Sequence, residues 1–181
     1  MTSGSPRRVG GAQQIPTPSS RRSAGDPLWI EHQAEFDLAS VVQRVKQKQV
    51  DERAHKTPRV EEKVSAVLAL LAPGEHGAEI LLTRRSTKLS NHQGEISFPG
   101  GRVDTDETMT EAALRETHEE VGIEPSSITV HAELSPLSTF VSRSFIVPII
   151  GTVEKKPELV LNSYEVERAM WVPLAELVRA D

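Results

Sequence analysis

Residues 100–123 read GGRVDTDETMTEAALRETHEEVGI. A helix is predicted over Glu107 to Val121. Within it Glu116, Glu119 and Glu120 stand at i, i+3 and i+4, so the three carboxylates share one face. Like charges at that spacing repel by about 0.2–0.5 kcal/mol per pair in an isolated helix. A cation offsets such a face, and hard oxygen donors suit Mg²⁺ or Mn²⁺. A solvated acidic face has the same pattern, and for three carboxylates alone it is the commoner explanation. The flanking residues reverse that preference. Gly100-Gly101 precedes the helix, where backbone turns sharply or approaches a ligand. Gly122 stands at the C′ position, followed by apolar Ile123. Arg115 lies inside the acidic run and can pair with Glu107 two turns back.

Outward from this stretch, the chain alternates strands and helices. Val64–Leu71 is an apolar run expected to form a buried strand, and Glu79–Arg85 its antiparallel partner across a Pro/Gly-rich turn. Ile96–Phe98 is a short strand stopped by Pro99-Gly100-Gly101. Ile128–Leu134 and Phe145–Val153 read as further strands, and Pro173–Arg179 as the opening of a helix. The fold class is therefore α/β with a mixed sheet. Three regions are expected: residues 1–26 as a disordered tail, 27–58 as an N-terminal amphipathic helix and connector, and 59–181 as the globular domain.

The 181 residues carry a formal net charge of -5, so no overall basic field points to nucleic acid or a membrane surface. No apolar run approaches the ~20 residues of a membrane-spanning helix. The absence of cysteine excludes disulfides and thiolate metal sites. A cytoplasmic location is expected. The Arg/Ser-rich N-terminus leaves an organellar targeting peptide as the alternative.

Gly101, Glu107, Arg115-Glu116, Glu119-Glu120, Gly122 and Ile123 stand at the spacing Gly-x5-Glu-x7-Arg-Glu-apolar-x-Glu-Glu-x-Gly-apolar. This resembles the Nudix box, with Thr117 where the family has a bulky aliphatic residue. The resemblance implies an α/β/α sandwich in which Glu116, Glu119, Glu120 and the Gly100 carbonyl hold Mg²⁺ or Mn²⁺. Gly101, Glu107, Arg115 and Gly122 would shape the motif. The implied reaction is hydrolysis of a nucleoside diphosphate derivative, with Glu119 or Glu120 as general base. Upstream, LLTRRSTKLSNHQGEISFPGG over residues 81–101 resembles the signature of the coenzyme A pyrophosphatase branch, with Ser90 in place of its second arginine. That resemblance implies substrate contacts from Arg85, Thr83, Gly94 and Phe98. Arg85 is the favoured phosphate ligand because its planar fork suits oxyanions. Core packing is the favoured role for Phe98, and a surface role for Glu165 and Glu167. Relatives continue past the Pro-Leu-Ala-Glu-Leu run, so a sandwich lacking its C-terminal strand or helix is expected. The implied partner is a small molecule, coenzyme A or one of its thioesters. Another nucleoside diphosphate derivative is the first alternative, and a non-catalytic nucleotide-sensing module the second. A homodimer stays open.

Overall fold

β1, Lys63–Gly74, is apolar on both faces and lies at the centre of the main sheet. A computed structural model describes residues 9–10, 13–14, 36–47, 57–59, 61–75, 77–89, 93–139 and 143–178. β2, Gly77–Arg85, returns antiparallel to β1, with Leu71 opposite Ile80 and Gly74 opposite Gly77. The positive φ of Gly77 (105°) closes the turn, and a side chain there would meet the Phe36 carbonyl. β3, Ile96–Ser97, pairs with β2, and β4, Gly100–Arg102, pairs with β1. α2, Met109–Val121, follows; the N-terminal helix α1 is Leu38–Gln47. β5, Thr129–Glu133, and β6, Leu137–Ser138, both pair with β7, Ser144–Thr152. β8, Val166–Pro173, lies on the far side of β2.

The strand order is β8-β2-β1-β7-β5, with β3, β4 and β6 attached to β2, β1 and β7. β1 and β7 run parallel and the other pairs antiparallel, so the sheet is mixed as expected. Pro148 interrupts neither side of β7. It pairs with Val67 in the parallel ladder and falls between the β5 and β6 segments on the outer edge.

Alternation along β1 builds two cores. Ala66, Leu68, Leu70 and Ala72 pack with Ala112, Ala113 and Val121 of α2. Ala69 and Leu71 face the other way, packing with Ile80, Ile150 and Val41 of α1. The two helices thus cover opposite faces in an α/β/α arrangement. Asp37 caps α1 by accepting from the Ala39 and Ser40 N–H groups (both 3.0 Å). Its carboxyl pKa is lowered, first by the Ser40 side chain and then by these two N–H groups.

Three expectations change in detail. The helix predicted from Glu107 begins at Met109, because Thr108 is its cap. The residues read as a helix from Pro173 form a 3-10 turn, Leu174–Val178, and Pro173 ends β8. β8 itself was not foreseen. Of the expected N-terminal tail, Val9–Gly10 and Gln13–Gln14 form a small antiparallel ladder. The remainder of that tail lies outside the described residues.

Candidate active site

α2 is fixed at both ends by its own sequence. Thr108 accepts from the Glu111 N–H (3.2 Å), and Glu111 reaches back to the Thr108 N–H (2.9 Å), a complete capping box. These bonds hold Glu111 below its usual carboxylate pKa. Gly122 ends the helix in the left-handed conformation (φ 74°), donating to the His118 carbonyl. Thr117, the one departure from the box, is fully buried and donates its hydroxyl to the Ala113 carbonyl (2.7 Å). Its polar atom is satisfied, so the substitution leaves the packing under α2 intact.

Arg115 is the hub. It holds Glu107 through two bonds (Nε to Oε1 2.9 Å, Nη2 to Oε2 3.1 Å). It also donates to the Arg102 carbonyl (3.0 Å), tying helix to loop. Its Nη1 lies between Glu116 Oε1 (3.1 Å) and Glu119 Oε2 (3.3 Å). Hydrogen bonding to Glu107 raises the Arg115 pKa above its ordinary range, and the same bond lowers that of Glu107.

Glu120 is 3% exposed. Its Oε2 accepts from the Gly100 N–H (3.3 Å), and its Oε1 is 3.8 Å from Arg85 Nη1. Burial raises its pKa to about 7, against the opposing pull of those two groups. Burial also raises Glu116, with Arg115 opposing. Glu119 is the open member of the set. Gly101 gives Glu116 its room: a Cβ there would lie 2.3 Å from the Glu116 carboxylate. Gly100 (φ 148°) sits against the Ala66 carbonyl, where no side chain fits.

The remaining foreseen residues take different places. Arg85 reaches Glu120. Thr83 is buried, with its hydroxyl on the Ser97 carbonyl (3.3 Å), so it joins β2 to β3 rather than facing an open cleft. Gly94 adopts φ 70° and donates to the Arg85 carbonyl, closing the β2–β3 hairpin. Phe98 packs partly buried on the second core. Ser90 and His92 lie outside the described residues. Glu165 is half-exposed, in keeping with a surface role, and its negative charge is the weakest of the influences that raise Glu116 and Glu120. Its carbonyl accepts from the Ser86 N–H (2.7 Å), and the same strap joins α2 through Asn162 N–H to the Glu120 carbonyl (3.0 Å). No sequence spacing connects residue 165 with residues 116–120; tertiary structure alone does.

Among the described residues no three acidic or imidazole groups converge as a ready metal cage. Arg115 lies between two of the carboxylates. The donor set still fits a hard divalent cation: three carboxylates on one face, two of them with pKa raised by burial, and a glycine cradle that closes on Glu116.

The fold and this loop–helix–loop define the class. The NUDIX domain model matches residues 62–181, and the chain belongs to the Nudix family. It is 38% identical over 117 residues to Nudix hydrolase 3 of Caenorhabditis elegans, covering 63% of this chain and 49% of that protein. It is 38% identical over 115 residues to the peroxisomal coenzyme A diphosphatase NUDT7 of Mus musculus, covering 62% and 47%. Among solved structures, a Nudix hydrolase from M. smegmatis, RenU, superposes with TM-score 0.54 at 27% identity, over 62% of this chain and 71% of that one. The chain spans about half the length of these curated relatives.

Proposed function

We propose that this chain is a divalent-metal-dependent pyrophosphohydrolase that cleaves the diphosphate of coenzyme A and its thioesters. The observation that carries the reading is the meeting of Arg85 with Glu120 at the Gly100 N–H. It brings the coenzyme A-type upstream segment to the carboxylate helix. The similarity to a mouse protein named as a coenzyme A diphosphatase supports the same substrate.

Glu116, Glu119, Glu120 and the Gly100 carbonyl would hold Mg²⁺ or Mn²⁺. When bound, the ion neutralises diphosphate oxygens and lowers the pKa of water. The chain's own groups do the rest. Arg85 offers a planar pair of donors to a phosphate oxygen beside the scissile bond. Arg115 locks Glu107 and the Arg102 carbonyl, so the loop carrying Gly100 and Gly101 keeps its distance from α2. Glu119 or Glu120 accepts the proton of the attacking water. Water oxygen joins one phosphorus, and the bridging P–O bond breaks toward the other phosphate.

The test is product identification from coenzyme A with Mg²⁺ or Mn²⁺. The expected products are 3′-phosphoadenosine 5′-monophosphate and 4′-phosphopantetheine, with none formed in EDTA. Intact coenzyme A alongside cleavage of ADP-ribose or a dinucleotide would reassign the substrate. Tight nucleotide binding without cleavage of any diphosphate would make the chain a sensor.

A further inference from the structure

β1 and β2 pair only from the turn to Leu71 and Ile80. Beyond that they splay into a fork. β3 lines the β2 prong (Thr83 opposite Ser97, Arg84 opposite Ile96), and β4 lines the β1 prong (Ser65 opposite Arg102, Val67 opposite Gly100). Glu120 meets the fork at the Gly100 N–H, and Arg85 reaches it from the β2 prong.

Successive strand residues alternate faces, so Arg84 points to the side opposite Arg85. Leu82, with the same parity, packs in the second core and confirms the side. There Arg168 of β8 stands directly opposite Arg84 in register. Like charges placed so are destabilising, and the fold gains nothing from them. Glu167, at the irregularity between Val166 and Arg168, is 3.7 Å from Arg84. That is an ion pair without a short hydrogen bond, unlike the contacts of Arg115. Among the described residues, Arg168 has no ion pair. Glu167 thus pairs with Arg84 alone, and the register partner Arg168 adds a second guanidinium on the same face. Beside them Ile96 is 52% exposed, an apolar surface next to the charge.

We infer that Arg84 and Arg168 form a second anion subsite, which binds a phosphomonoester carried by the substrate while Arg85 faces the scissile diphosphate. The inference rests on the function proposed above, and it assigns recognition of the 3′-phosphate to two residues outside the box. Two guanidiniums match the charge and oxygen count of a phosphomonoester better than those of a neutral ribose.

Calorimetric binding of adenosine 3′,5′-bisphosphate and of AMP reads the subsite without turnover. Wild type is expected to prefer the bisphosphate by roughly tenfold or more, the increment of one charge-assisted pair. Arg84→Gln and Arg168→Gln should each erase most of that preference and leave AMP binding unchanged. Glu167→Gln, which removes the competing carboxylate, should increase it. Equal binding of the two nucleotides by wild type, or equal losses for both in the arginine variants, overturns the inference. If the preference is present but coenzyme A is not cleaved, the subsite stands and the proposed reaction falls.

Discussion

Glu120 is 3% exposed and its pKa is raised to about 7, so in the absence of a cation the native state carries it at a cost. The sign follows from linkage. The ordinary value is 4.5, so between about 4.5 and 7 the folded chain binds more protons than the unfolded one. Stability from this group is therefore greatest below 4.5 and falls as pH rises through 7. Glu120→Gln is expected to raise the melting temperature of metal-free protein at pH 8, by an amount worth roughly 3 kcal/mol at most, and to change it little at pH 4.5. Added Mg²⁺ or Mn²⁺ should raise the wild-type melting temperature and leave that of Glu120→Gln nearly unmoved. Thermal melts across pH, with EDTA or metal, check both. The adjacent glycines are expected to separate folding from chemistry. At Gly101 an added methyl meets the end of a flexible side chain, Glu116, so Gly101→Ala should lower kcat by tenfold or more while the protein still folds. At Gly100 the methyl meets backbone at 2.3 Å, so Gly100→Ala should reduce the yield of folded protein. Circular dichroism beside kinetics distinguishes the two. The acids, Arg115 and both glycines were readable because a helix of known period and a cap of known chemistry place them. Glu165 was not, because its nearness to Glu116 and Glu120 comes from a strap tied to Ser86 and α2.

At the scale of elements, α2 is the part whose sequence states its own limits. Its capping box and Gly122 are local, so Thr108→Ala should cost about 1 kcal/mol in urea unfolding and leave kcat nearly unchanged. A large loss of kcat would show instead that the cap positions the carboxylates. The box pattern also placed Glu107 correctly in chemistry though not in the helix. Glu107 accepts from the Asp104 N–H (3.1 Å) and from Arg115 before the helix begins. The strands β1, β2 and β7 were legible because two-sided burial leaves nearly continuous apolar runs. β8 escaped because Glu167 and Arg168 break its apolar character, and Pro173 at its end signals a helix start as readily as a strand end. Proline is tolerated there because β8 is an edge strand. β4 escaped too, since Gly100-Gly101-Arg102 has no strand propensity and is a strand only through β1.

For the whole molecule, α1 is the decisive element. Val41 is 8% exposed, and with partly buried Leu38 and Val45 it packs on the sheet face opposite α2. We propose that α1 folds as one unit with the sheet rather than as a separate appendage. Val41→Ala should then lower the urea midpoint of the single global transition by about 1–3 kcal/mol equivalent, with m unchanged. An unchanged midpoint for the sheet, with loss of helix signal alone, would show that α1 melts independently.

By itself the sequence determined what acts over a few residues: the spacing that gathers Glu116, Glu119 and Glu120, the caps of α2, the Arg115–Glu107 pair, and the alternating faces of the apolar strands. These follow from helix and strand periods, which need no knowledge of distant neighbours. Only the tertiary structure decided the fork between β1 and β2, the meeting of Arg85 with Glu120, the arrival of Glu165, and the opposition of Arg84 and Arg168. Apart from the fork, each joins segments tens of residues apart, and strand register, not local propensity, sets which side chains face one another.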